Sequence, residues 1–220
     1  MATTLRAAQA VVNQPAAGYA SLREALGDTP GSTAHCMRHT EQPEPAASGP
    51  ADTHWVFGYG SLIYKVDFPY LQREAASISG WARRFWQGSH DHRGTPEAPG
   101  RVVTLVPAAQ AICKGVAYRV EHSVFEHLDY REKNGYERHA VAITLAPLVQ
   151  PVPGTLYVAR PDNPAFLGEA PLPEVARHIR ASHGPSGSNV DYVLRLAEAL
   201  RELGEEDSHV LALEALLRAS

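Results

Sequence analysis

Residues 57–62 read Phe-Gly-Tyr-Gly-Ser-Leu and follow the apolar run Trp55-Val56. Gly58 and Gly60 permit backbone conformations closed to other residues. A strand entering such a loop can aim successive N–H groups at one point, which suits a carboxylate, a phosphate or a developing oxyanion. Val56, Phe57, Gly58, Tyr59, Gly60, Ser61 and Leu62 are therefore candidate ligand-binding residues. The loop is neither a Walker A motif nor a complete dinucleotide fingerprint, because no Gly-Lys-Ser/Thr and no third glycine follow in register. Its plain alternative is a tight turn at a strand end.

A second stretch, Asp129 to Tyr136 (DYREKNGY), sets Glu132 beside an Asn134-Gly135 stop and between Tyr130 and Tyr136. A carboxylate walled by aromatics loses solvation, and its pKa rises. A general base for an amine needs that tuning. Arg131, Glu132 and Lys133 read equally as a solvated charge run. His90 and His92 flank Asp91 and could open a metal site, as could His35, Cys36 and His39, but neither group has a further ligand at convincing spacing. No metal is expected. Ser61 follows Gly60, yet the second glycine of a nucleophile elbow is missing. Cys113 falls in a strand pattern and is expected to be a buried, inert thiol.

These residues need elements to hold them. A strand is expected from Trp55 into the glycine loop, others over Ser77–Gln87 and Arg101–Pro107, and another over Ala111–Val120. In the last, Ile112, Val116, Tyr118 and Val120 share one face, and Cys113, Gly115 and Ala117 the other. Small residues on that second face point to close packing in a curved, closed sheet. A helix is expected over Ser123–Lys133, strands over Glu137–Leu148 and Gly154–Ala159, and helices over Leu172–Ser182, Asn189–Leu203 and Ser208–Arg218. Val190, Val193, Leu194, Ala197 and Leu200 form the apolar stripe of the second of these three, and Gly204 ends it. The class is α+β: a small mixed, partly closed β-barrel flanked by helices.

Residues 1–53 are rich in Ala, Pro, Thr and Gly. They read as an extension with one short helix over Gly18–Leu26, and residues 54–220 form the folded domain. The 220-residue chain is 44% hydrophobic and 20% charged, enough for a sizeable core. A net charge of −4 excludes a general electrostatic grip on nucleic acid or anionic membrane. No apolar run reaches the ~18–20 residues of a membrane span. Two distant cysteines and no apolar leader point to a reducing cytoplasm. Nothing fixes an oligomeric state.

Six blocks occur in order: WVFGYGSLIYKVDFPY, RRFWQGSHDHRGTPEAPGRVVTLVP, GVAYRV, DYREKNGYERH, DNPAFLG and GPSGSNVDYVL. Together they resemble the ChaC-type, glutathione-specific γ-glutamylcyclotransferases from Trp55 nearly to the C-terminus. Tyr64 stands where many relatives carry tryptophan and Asn134 where glycine is usual. The connector Val120–Leu128 is shorter than in animal members. The resemblance implies the γ-glutamylcyclotransferase-like fold. It implies cyclisation of the γ-glutamyl group of glutathione to 5-oxoproline with release of Cys-Gly. It further implies that residues 57–62 hold the γ-glutamyl group and that Glu132 is the acid/base. No cofactor is implied. Other γ-glutamyl peptides or amines as substrates, or a non-catalytic γ-glutamyl-binding protein, are the alternatives.

Overall fold

Five strands rich in β-branched and aromatic residues curl into a barrel, and four helices cover it. The computed structural model describes residues 52–131, 135–146, 148 and 150–219. The expected helix over Gly18–Leu26 lies outside them. The strands are β1 (Thr53–Gly58), β2 (Gln72–Ser89), β3 (Gly100–Glu121), β4 (Tyr136–Leu145) and β5 (Val152–Ala159). Their order around the barrel is β1-β3-β2-β4-β5, and the parallel pairing of Val56 with Thr155 closes it. Helix α1 (Val124–Arg131) joins β3 to β4. Helices α2 (Leu172–Ala181), α3 (Asn189–Glu202) and α4 (Ser208–Arg218) follow the last barrel strand.

The two expected strands Arg101–Pro107 and Ala111–Val120 are one continuous β3, paired along its length with β2. Pro107 does not break it, because the ribbon is irregular there. Its register shifts between Ser79 and Trp81, where Gly80 has φ +84°, and Gln110 on β3 has φ +69°. Ile112 pairs with Ser79 beside this bulge and is 61% exposed, although the register is unbroken from it to Val116 and it keeps the expected face. Val116, Tyr118 and Val120 are buried as expected, and so are Cys113 and Ala117 on the other face. Gly115 lets β3 cross β1: a Cβ there would collide with the Gly58 carbonyl and meet the Phe57 ring at 2.8 Å. The small-residue face is thus where the barrel wall backs onto the glycine loop.

The apolar stripe of α3 is rotated from the expected one. Tyr192, Leu196 and Ala199 are buried with Val193, Ala197 and Leu200, while Val190 and Leu194 are half-buried. The rotation arises because α3 packs on both β3 and α4, which widens the buried arc and brings Tyr192 inward. Gly204, at φ +64°, ends the helix, and the N–H of Glu205 reaches back to the Leu200 carbonyl at 2.9 Å. The Asp207 carboxylate then caps α4, accepting from the N–H groups of His209 and Val210 at 3.1 Å each.

Asp207 has a second task. Its other oxygen accepts from Arg83 Nη1 at 3.1 Å. The Arg83 side chain is fully buried and that of Asp207 nearly so. Removing one partner of a buried pair leaves an uncompensated charge, a loss of roughly 3–5 kcal/mol. Asp207→Ala should therefore lower the unfolding free energy by about that amount in urea titration. Asp207→Asn, which keeps the capping oxygen, should lose less. An Asp207→Ala chain as stable as wild type would contradict this account of the pair.

Candidate functional site

The glycine loop leaves β1 at Gly58 and turns through a single 3-10 turn at Ser61–Ile63. Three side chains from the neighbouring strands take its carbonyls. Buried Arg83 donates from Nε to the Tyr59 carbonyl at 2.6 Å. Tyr118 donates to the Leu62 carbonyl at 2.7 Å, and Arg73 donates to the Ile63 carbonyl at 3.2 Å. The remaining reach of Arg83 goes to the Lys114 carbonyl and to Asp207. In a planar trans peptide the C=O and N–H point opposite ways. Holding the Tyr59 carbonyl on Arg83 therefore turns the Gly60 N–H away from the barrel wall. Among the described residues, nothing accepts from the N–H of Gly60 or Leu62.

The glycines are required by crowding, not by left-handed backbone. Gly60 has φ −120°. A Cβ on it would lie 2.9 Å from Val103 Cγ2 and 3.2 Å from the Tyr192 hydroxyl, and one on Gly58 would lie 2.6 Å from Leu62 Cβ. Gly60 also has ψ −128°, outside the standard helical and extended regions, so the expected unusual backbone and close approach act together at this position.

The loop forms one wall of a cleft of about 70 Å³, lined by residues 57–62 with Val103, Tyr136, Tyr157 and Tyr192. Val56 is fully buried behind it and does not line it. The tyrosines are held by hydrogen bonds. Tyr136 donates to the Val103 carbonyl at 3.1 Å, and the Val103 N–H reaches the Tyr192 hydroxyl at 3.4 Å. Tyr59 donates to the Tyr157 carbonyl at 2.6 Å. Tyr157 donates to Asp129 at 2.7 Å, and Arg138 also grips Asp129. Burial drives the pKa of Tyr192 and of Tyr157 above the ordinary phenol range, so neither serves as a base near neutral pH. The hydrogen bond from Arg138 holds the Asp129 carboxyl below its usual range. Asp129 is thus committed to Arg138 and Tyr157.

A second cleft of about 200 Å³ shares Ser61, Tyr136 and Tyr192 with the first. The two adjoin at these residues. Gly88, Ser89, His92, Arg93 and Ser186 are among its other lining residues.

Glu132 falls outside the described residues, between Arg131 at the end of α1 and Gly135. Gly135 has φ +92° and packs on Asn163, whose side chain exchanges amide hydrogen bonds with Gln87 at 3.1 and 3.2 Å. The block DNPAFLG therefore braces the turn that leads to Tyr136. His35, Cys36 and His39 also lie outside. His92 bonds Ser186 at 3.1 Å, and among the described residues neither it nor His90 joins a third metal-capable group. Ser61 lines both clefts.

The sequence reading missed two groups. Arg83 was signalled by its register: it alternates with Trp81, Phe85 and Gln87 on a mostly apolar strand face. The other is Asp52, His54 and His122, whose ligating atoms lie within 4.8 Å of one another. They meet only through the β1–β3 register, at the opposite end of β1 from the glycine loop. His54 Nε2 sits 3.1 Å from Asp52 and 3.4 Å from His122, so the three satisfy one another outside the cleft.

The ChaC-like protein family model matches residues 54–220. The chain is 42% identical over 175 residues to glutathione-specific γ-glutamylcyclotransferase 1 of Danio rerio, covering 76% of this chain and 89% of that protein. It is 43% identical over 175 residues to γ-glutamylcyclotransferase 2-3 of Arabidopsis thaliana, covering 74% and 88%. A crystal structure of the γ-glutamyl cyclotransferase specific to glutathione from yeast superposes with a TM-score of 0.71 at 33% identity, covering 76% of this chain and 96% of that one.

Cys113, 2% exposed, has its thiol pushed up to about 11 by burial. In a Cys36→Ser chain, a disulfide-exchange reagent at pH 8 should leave Cys113 unmodified until urea unfolds the protein. Rapid native labelling would contradict the buried, inert assignment.

Proposed function

This chain belongs to the ChaC-like family and is a γ-glutamylcyclotransferase; we propose that it cleaves glutathione to 5-oxoproline and Cys-Gly, with Glu132 as acid/base and residues 57–62 holding the γ-glutamyl group. The observation that carries the reading is the likeness to glutathione-specific enzymes over almost their whole length, together with a family match over residues 54–220 that takes in the glycine loop. The reaction belongs in a reducing cytoplasm, where Cys113 stays a free thiol.

The substrate brings its own nucleophile, the α-amino group, and its own electrophile, the γ-amide carbonyl. Attack forms the ring C–N bond, and the bond from the γ-carbon to the cysteinyl nitrogen then breaks. The protein must fold the γ-glutamyl chain on itself, and orientation is worth up to ~7–11 kcal/mol in favourable cases. The glycine loop and four further residues, three of them tyrosines, line the small cleft that would hold the γ-glutamyl group. Its aromatic walls are already fixed by hydrogen bonds, so little ordering is left to binding.

Two charges need management. The tetrahedral oxyanion needs donors, and the N–H groups of Gly60 and Leu62 are the candidates. One lost donor of this kind costs about 2.7–4 kcal/mol. The proton lost by the attacking ammonium must reach the leaving amine. One carboxylate can do both; the family resemblance gives that role to Glu132, and Asp129 is already committed to Arg138 and Tyr157. Glu132 is four residues along the chain from Tyr136, which lines the cleft. A carboxylate used as base and then acid contributes typically ~10²–10⁴-fold.

Glu132→Gln keeps size and polarity but cannot take the proton. Released 5-oxoproline should fall by at least about a hundredfold, while glutathione binding measured by calorimetry persists. Wild-type turnover in the folded variant would remove Glu132 from the mechanism. All steps use the chain's own groups, so dialysis against EDTA should leave the rate unchanged. A loss restored by zinc would reopen a metal-dependent reading.

A further inference from the structure

The blocks SHDHRGTPEAPGR and GPSGSNVDYVL carry no role in the chemistry above, and they meet around one side chain, Arg93. Gly94 and Gly100 pinch the base of the β2–β3 loop, and Gly184 packs against His92 and Gly94. His92 bonds Ser186, and the Ser186 N–H bonds the His92 carbonyl at 2.9 Å. Buried Asn189 exchanges side-chain hydrogen bonds with the backbone of Arg101 at 2.6 and 2.8 Å, which fixes the start of α3 against β3. Arg93 is only 9% exposed in the resulting enclosure, and it lines the larger cleft.

The guanidinium has five N–H donors. Nη1 donates to the Ser188 carbonyl at 3.1 Å, and the group lies 5.5 Å from the centroid of the Tyr192 ring. Among the described residues no carboxylate pairs with it. An enclosed cation without an anion is costly, and a planar fork facing a cleft is shaped for a carboxylate. Lys65 lines the same cleft from its exposed side. Asp67 and Asp91 also line it, but both are exposed, where solvent screens them far more than it screens Arg93.

We propose that Arg93 binds the glycine carboxylate of glutathione and so sets the preference for the tripeptide over smaller γ-glutamyl compounds. This deepens the glutathione reading and rests on it. With the γ-glutamyl group against residues 57–62, the scissile amide lies toward Ser61, Tyr136 and Tyr192, where the two clefts join. The Cys-Gly half then enters the larger cleft. Its carboxylate is the one anion of the substrate that travels there, and Arg93 is the enclosed cation it meets.

The test compares glutathione with its glycine carboxamide, which removes only that charge, by 5-oxoproline release. In the wild-type chain kcat/KM should be roughly ten- to a hundredfold lower for the amide, mostly through KM. In Arg93→Met the preference should collapse toward unity, with glutathione KM raised more than kcat is lowered, and Arg93→Lys should recover part of it. Circular dichroism checks that the variants fold; if they do not, the wild-type substrate pair decides. Equal wild-type turnover of acid and amide would overturn the assignment, as would a preference that survives Arg93→Met in the folded variant. Failure of the wild-type chain to release 5-oxoproline from either compound would instead overturn the glutathione reading itself.

Discussion

A single buried guanidinium joins the parts of this molecule that matter. Arg83 sits in β2 and reaches the Tyr59 carbonyl in the glycine loop, the Lys114 carbonyl in β3 and the Asp207 carboxylate at the head of α4. Its burial would be prohibitive without these partners. With them, it ties barrel, loop and C-terminal helices to one point. The direction of the loop follows: a peptide whose carbonyl is held inward must present its N–H outward. Tyr118 and Arg73 also hold the Leu62 and Ile63 carbonyls, but the N–H groups of those two peptides, on Ile63 and Tyr64, donate within the turn to the Gly60 and Ser61 carbonyls.

The same logic of prior commitment runs through the cleft. Tyr59, Tyr136, Tyr157 and Tyr192 each spend their hydroxyl on a backbone or carboxylate partner, and Asp129 is taken by Arg138. Among the described residues, the N–H groups of Gly60 and Leu62 at one end have no such partner, and at the other end the Arg93 fork has only the Ser188 carbonyl. For a substrate that supplies both nucleophile and electrophile, a rigid wall with donors at chosen points is most of what catalysis requires.

Much of the fold was legible in the residues. Alternation located the strands, and Gly204 marked a helix boundary that the structure keeps. The small face of β3 announced a closed sheet, and Gly115 crossing Gly58 is its cause. Other features were not legible locally. The fusion of two strands into β3 depends on pairing with β2 across a bulge. The rotation of the α3 stripe depends on which neighbours α3 meets. At the site, the loop could be read from glycine spacing, although the crowding by Val103 and Tyr192 that adds to the need for glycine comes from distant segments. Arg93 looked like one more charge in a polar loop, because its enclosure needs residues 184–189, more than ninety positions away. The family likeness supplied the reaction; no spacing in the chain could have named glutathione.

The most direct measurement is a crystal structure of the Glu132→Gln protein with glutathione bound. The account predicts the γ-carbonyl oxygen within hydrogen-bond distance of loop N–H groups among residues 58–62, with the Tyr59 carbonyl still on Arg83. A bound, ordered tripeptide whose γ-glutamyl group lies away from that loop would contradict it.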